Sequence, residues 1–216
     1  PAPRARPRTW WMATAATLSL AVMIIATLPM LPGNGDAFAA VQAHFGRFTT
    51  LVMTVTQRFD GAPVQTSTMT VDARGVVRTD VGEQLSIVVD RPRGRVLTLL
   101  HGPRRAMVTS IPAGPSRAQD DPLAWLEPLR TFKGEATALP GTRMIDGREA
   151  RGWRLTVDGT TLELWADAEG LPLAMRQLGG GGLALDYRFT FDAPVPPGYL
   201  GSDPPPGYAM VAPDED

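Results

Sequence analysis

The stretch LALDYRFTFD, residues 183–192, alternates without a break. Leu183, Leu185, Tyr187, Phe189 and Phe191 fall on one side, and Ala184, Asp186, Arg188, Thr190 and Asp192 on the other. Ten residues with a period of two exclude a helix and describe a strand with one dry face and one wet face. A dry sheet face contributes little until something covers it, so the chain must supply both a sheet and its cover.

The other strands are legible by the same reading. Leu51, Met53, Val55, Gln57 and Phe59 alternate with Val52, Thr54, Thr56 and Arg58; DGAP (60–63) is a turn and VQTSTMTVD (64–72) the returning strand. LSIVV (85–89), RVLTLL (95–100), RAMVTS (105–110) and GWRLTV (152–157) follow, separated by Gly, Pro or Asp. GGGG (179–182) lacks the Lys-Ser/Thr of a phosphate loop and reads as a flexible hairpin connection.

Two segments have helical spacing instead. Asp36 can cap a helix whose Phe38, Val41, Phe45 and Phe48 form one apolar stripe. DDPLAWLEPLRTF (120–132) starts with Asp and Pro, carries Leu123, Trp125, Leu126 and Leu129 on an apolar side, and is cut short by Pro128. Two short helices cannot cover a flat sheet of roughly eight to eleven strands, so the sheet must curl around them and leave an apolar cavity. The expected fold is therefore α+β: a curled antiparallel sheet, an unclosed half β-barrel, with short helices on its concave apolar face.

Ahead of this body, residues 9–31 (TWWMATAATLSLAVMIIATLPML) hold no charged residue. At about 1.5 Å per residue, a helix of that length spans a hydrocarbon core of about 30 Å. Arg4, Arg6 and Arg8 precede it and place that end in the cytoplasm. The expected organisation is a basic flank (1–8), a transmembrane helix or signal anchor (9–31), a linker (32–35), the half-barrel (36–192) and a Pro/Gly-rich tail (193–216). A cleaved export signal is the competing reading, since AFA (37–39) resembles a small-residue cleavage site. Both readings export the body, and the first makes it a single-pass membrane protein.

Composition narrows the chemistry. There is no cysteine, which removes disulfides, thiolate catalysis and Cys-ligated metals. His44 and His101 are the only histidines and have no metal-ligand spacing; no G-x-S-x-G is present. Past the three leading arginines the chain holds 18 basic and 22 acidic residues, which argues against nucleic-acid binding. Neither a metal, a cofactor nor catalysis is expected. The one dense basic cluster in the body is Arg91, Arg93, Arg95, Arg104 and Arg105, either a charged strand edge or a contact for lipid headgroups or an acidic partner.

LELWADAEGLPLAM (162–175) brings Glu163, Asp167 and Glu169 close together and invites an active-site reading. Parity answers otherwise. Leu162 and Leu164 share one face, Glu163 and Trp165 the other; ADAEG turns, with Gly170 free to take positive φ, and Leu171, Leu173 and Met175 resume the alternation. Asp167 and Glu169 then sit at a solvated tip, and Trp165 on the outer face or at a bulge.

Four features, in this order, resemble the LolA/LolB-like periplasmic lipoprotein-carrier superfamily, which includes RseB/MucB-type sensor domains. AFAAVQAHFGRFTTL leads into VMTVTQRF with its Thr56-Gln57 pair; MTVDARGVVRTDV is a Gly-centred strand pair; a short helix lies near 121–130. The segment GREARGWRLTVDGTTLELWADAEGLPLAMRQL is similar to the family's hairpin with a Trp-x-Asp…Gly-Leu-Pro corner. The carriers have an Arg-Pro pair after the strand at 67–72, where this chain reads DARG, with Arg74.

The resemblance implies an apolar cavity for lipid or lipoprotein acyl chains and no catalysis. Its lining is expected from Phe38, Val41, Phe45, Phe48, Met53, Val55, Leu85, Ile87, Trp125, Leu126, Trp153, Leu155, Leu173, Met175, Leu185, Tyr187 and Phe189. Arg74, Arg91, Arg93, Arg95, Arg104 and Arg105 are the candidate headgroup or partner contacts. Three roles stay open: a membrane-tethered lipid- or lipoprotein-binding protein held in the inner membrane by residues 9–31, the external sensor of an anti-sigma-type regulator of envelope stress, and a cleaved, soluble carrier. On the sensor reading a regulatory protein is the partner and a cytoplasmic domain precedes Pro1.

Overall fold

The computed structural model describes residues 34–112 and 126–212. The apolar run 9–31 and Trp125 lie outside them. Among the described residues no helix is long and apolar enough to cross a membrane.

Helix α1 (Asn34–Gly46) opens the fold and starts two residues before the expected Asp36 cap. Six strands follow: β1 (Thr50–Phe59), β2 (Ala62–Asp72), β3 (Val76–Val81), β4 (Leu85–Asp90), β5 (Arg95–Leu100) and β6 (Arg105–Ser110). A one-turn helix α2 (Glu127–Arg130) separates them from β7 (Thr137–Ile145), β8 (Arg148–Val157), β9 (Thr160–Ala166), β10 (Pro172–Leu178) and β11 (Leu183–Phe191). A last short strand, β12, is Ala209–Met210. Tight Asp-Gly turns join β1 to β2, β7 to β8 and β8 to β9, and in each both residues have positive φ, the twist a two-residue hairpin needs.

The twelve strands of the described residues form one sheet in the order β12-β6-β5-β4-β3-β2-β1-β11-β10-β9-β8-β7. Two antiparallel meanders meet where β1 pairs with β11, from Leu51 opposite Phe191 to Phe59 opposite Leu183. The parallel β12–β6 pair ends one side and β7 the other, so the curled sheet stays unclosed.

α1 lies on one face, here called inner. Phe38, Val41 and Phe45 are buried against Leu51, Met53, Val71, Trp153, Leu155, Leu164 and Phe189. Phe45 meets Phe189 and Phe191 edge-on at 5.4 and 5.7 Å, a geometry that aligns ring edges with ring faces. Burial stabilises each of these side chains by about 25 cal/mol per Å² of apolar surface removed from water. Gln42 ties α2 to α1: its amide nitrogen donates to the carbonyls of Leu129 (3.0 Å) and Phe132 (2.9 Å). Arg130 Nε returns a bond to Phe45 O at 2.8 Å.

The outer face is less wet than the alternation predicts. Trp165 is buried there with Ile145, Ala150, Leu173 and Ala174, under the guanidinium of Arg143 at 4.2 Å from the ring centre. Farther along, Val76, Val88, Leu97, Leu99 and Ala106 form another cluster, closed by Leu200 and Tyr208. The C-terminal segment, irregular as its Pro/Gly content suggests, is therefore a strap across the back of β3–β6.

Candidate functional site

On the inner face a cavity of about 200 Å³ opens beside α2. Leu129, Val157, Leu162, Met175, Gln177 and Tyr187 are among its walls. Strand register explains why they converge: Gln177 lies opposite both Leu162 and Leu185, and Met175 opposite Tyr187. From there an inner-face row continues through the pairs Val55–Tyr187, Gln57–Leu185 and Phe59–Leu183 to the hairpin ends. Its polar lining is Asp158 and Thr160 at the β8–β9 turn together with Tyr187, whose Oη donates to Gln177 Oε1 at 3.3 Å. Burial pushes the Tyr187 phenol above its ordinary value, so it stays neutral.

A second apolar stretch lies on the same face of the other meander. Register places Thr79, Ile87, Thr98 and Met107 in one row and Val81, Leu85 and Leu100 in the next. These are half-buried, and Leu100 is exposed.

The predicted cavity residues divide into three groups. Phe38, Val41, Phe45, Met53, Leu126, Trp153, Leu155 and Phe189 are packed core, because α1 fills the space the sequence left open. Phe48, Val55, Leu85, Ile87, Leu185 and Tyr187 are half-buried, and Met175 joins the core to the cavity wall. Leu173 is the correction: it belongs to the outer cluster around Trp165. The β9–β10 register shifts between Pro172 and Ala174, and a bulge residue there turns its side chain to the other face.

The 162–175 corner is structural, with one revision. Glu169 is exposed as expected, but the Asp167 side chain is only 12% exposed. Its Oδ1 accepts from the backbone N–H of Glu169 and Leu171 at 3.0 and 2.9 Å, and its Oδ2 meets Arg148 at 3.0 Å. It closes the turn.

The predicted basic contacts are largely engaged within the fold. Arg74 pairs with Asp72 at 2.7 Å, Arg93 with Asp90 at 3.6 Å, and Arg95 with Asp203 of the strap at 2.8 Å. Arg91 is half-buried, while Arg104 and Arg105 are exposed. Arg74 and Arg93 also border a cavity of about 450 Å³ between the strap and the sheet end. Its carboxylates are already satisfied: Asp72 accepts from the backbone of Arg74 and Val76, and Asp90 from Ser202 Oγ.

Sequence reading missed two polar networks on the outer face. Asp80 accepts from Ser86 Oγ and from Tyr199 Oη, and pairs with Arg78 at 2.9 Å. Burial alone would raise its carboxyl, but these donors and the Arg78 charge outweigh it and hold Asp80 below the usual carboxylate value. Because Ser86 donates to Asp80, it accepts from His101 Nε2 at 2.7 Å, which leaves Nδ1 to accept from Tyr208. Asp186 similarly joins Arg58 (2.7 Å) and Arg176 (2.6 Å); burial pushes it up, and the two arginines bring it below its ordinary value. The wet-face parity of Asp186 on β11 was the available signal for that second network.

No family model matches the chain, and no curated protein sequence matches it. Among solved structures, lipoprotein LprF from Mycobacterium bovis matches with a TM-score of 0.51 at 14% identity, over 76% of this chain and 96% of that one. Lipoprotein LppX from Mycobacterium tuberculosis matches with a TM-score of 0.50 at 12% identity, over 76% of this chain and 99% of that one. The chain shares the fold of LprF and LppX. The LolA superfamily protein NE2245 from Nitrosomonas europaea is also matched, at 11% identity and a TM-score of 0.31, over 73% of this chain and 93% of that one. PNGF-II is matched at a TM-score of 0.35 and 12% identity over 76% of this chain, which spans only 31% of that protein. In this half-barrel, the helix-bearing face and its cavity are the candidate site. Among the described residues no group of three or more His, Cys, Asp or Glu side chains is placed to hold a metal ion.

Proposed function

We propose that this LolA-like domain binds lipid or lipoprotein acyl chains on its inner face and performs no chemistry there. One observation carries the reading: the cavity beside α2 continues as the row through Tyr187 and Leu185 to Phe59 and Leu183. About 200 Å³ is below the roughly 300–1,000 Å³ usual for small-molecule pockets. An extended alkyl chain needs a dry strip more than a chamber, and each methylene removed from water gains about 0.8 kcal/mol. Tyr187 and Gln177 offer a neutral hydrogen-bonding pair within that strip. The likeness to LprF and LppX supports the architecture, and the uncharged run 9–31 supports a tether holding the domain beside the inner membrane.

Native mass spectrometry of residues 34–216, one compact unit, tests the binding. Purified without detergent, the domain is expected to carry adducts with lipid masses that detergent washing removes. Bare protein, together with no uptake of a fluorescent fatty acid, contradicts the reading.

A further inference from the structure

Four of the large apolar side chains that remain exposed gather at one end of the sheet. Phe59 is 54% exposed, Val64 65%, Leu178 40% and Leu183 37%. They belong to two adjacent hairpin ends: Phe59 closes β1 and Val64 lies near the start of β2, while Leu178 closes β10 and Leu183 opens β11. Phe59 and Leu183 are direct cross-strand partners, and Asp60 N donates to Gly182 O at 3.0 Å, binding the two turns together. Apolar groups clustered in this way mark a contact surface rather than scattered surface residues.

The charge around this tip selects the occupant. Arg58 and Arg176 share Asp186 just behind it, and Arg188 follows two residues farther along β11 on the same outer face. Arg58, Arg143, Arg176 and Arg188 line one hollow there with Asp186, Glu163 opposite Arg176 is paired with Arg154, and Asp60 lies in the turn, so the arginines outnumber the carboxylates. Arg58 also donates to Gly61 O at 2.9 Å, which holds its guanidinium beside the turn. Apolar tips backed by a positive collar suit the surface of an anionic bilayer, where side chains enter the acyl boundary and guanidiniums meet phosphates.

We propose that the β1–β2 and β10–β11 hairpin ends dock on an anionic membrane surface and form the loading end of the acyl-chain strip. This rests on the binding reading above, because Phe59 and Leu183 are also the outer end of the row that leads to the cavity. Docking there aligns the strip with the lipid tails, so an acyl chain can pass between them without crossing water.

The absence of cysteine makes a site-specific test clean. The full chain carries a single environment-sensitive fluorophore at Leu183→Cys, or at Met210→Cys on the far sheet edge as the control. Each is mixed with phosphatidylglycerol/phosphatidylcholine vesicles containing spin-labelled lipid. The Leu183 probe is expected to shift to the blue and be quenched, while the Met210 probe stays aqueous. An aqueous Leu183 probe, or equal quenching at both sites, overturns docking by this end, even with the chain held to the vesicle through residues 9–31. Val64→Ser/Leu178→Ser, at hairpin residues outside the acyl-chain row, is expected to slow lipid uptake from vesicles at least tenfold while still binding a fatty-acid probe added in solution. Unchanged uptake overturns the loading role. Loss of probe binding in the unaltered chain instead removes the acyl-binding reading, while the quenching result still decides the docking.

Discussion

Gly170 lies directly against Ala40: a Cβ built on Gly170 would stand 2.7 Å from the Ala40 Cβ. The β9–β10 corner thus presses on helix α1, and Gly170 also holds φ +83°. Gly170→Ala is expected to cost about 2 kcal/mol, combining overpacking with backbone strain. Gly61→Ala, with similar φ but open space around it, should cost about 1 kcal/mol. Urea unfolding of both variants checks the difference, and adding Ala40→Gly should recover only the steric part.

Gln42 holds α2 in place by bonding to carbonyls that a one-turn helix cannot satisfy itself. Gln42→Leu should lose about 1–3 kcal/mol if those carbonyls stay buried. A smaller loss with fast hydrogen exchange at residues 129–132 would show that α2 lifts instead. Either way, exchange of the β1 amides is expected to change little.

Ser202 is fully buried and donates to Asp90 Oδ2 at 2.7 Å, pinning the strap. Ser202→Ala leaves that buried oxygen short of a partner and should cost about 1–3 kcal/mol. Removing residues 199–216 uncovers Val88, Leu97, Leu99 and Ala106, and concentration-dependent aggregation in light scattering is the expected result.

Asp80 and Asp186 both titrate below the ordinary carboxylate value of 3.8 in the folded chain. A depressed folded pKa gives stability that is fully present above the unfolded value and lost as pH falls through the folded one. The loss should therefore begin as pH drops below about 4 and continue downward. Asp80→Asn/Asp186→Asn should flatten that acid limb, measured as denaturation midpoint against pH. An unchanged slope would show that other carboxylates set it.

How much of this was readable depends on what each residue responds to. Leu185, Tyr187 and Phe189 could be assigned a face because an unbroken period of two leaves one solution. Leu173 could not, since parity counted from Leu171 fails across the bulge at Pro172/Ala174. Phe38 and Phe45 were correctly placed on an inward stripe, but whether that stripe lines a cavity or fills it depends on how closely α1 approaches Phe189. Tyr199, Ser202 and Tyr208 have no periodicity at all; Asp80 and Arg78 hold the first, Asp90 the second and His101 the third, all brought near only by the folded sheet. Arg74 and Arg95 read as free charge in sequence because Asp72 is a strand-end residue and Asp203 is distant along the chain.

Filling the cavity tests acyl binding most directly. Leu162 and Met175 both border it, and Leu162→Trp would place an indole there while the core beneath stays apolar. Titration of residues 34–216 with a fluorescent fatty acid is expected to saturate at one probe per chain. In Leu162→Trp, folded as judged by circular dichroism, affinity should fall at least tenfold. No binding to the unaltered domain, or equal affinity in the filled variant, would contradict an acyl chain in this site.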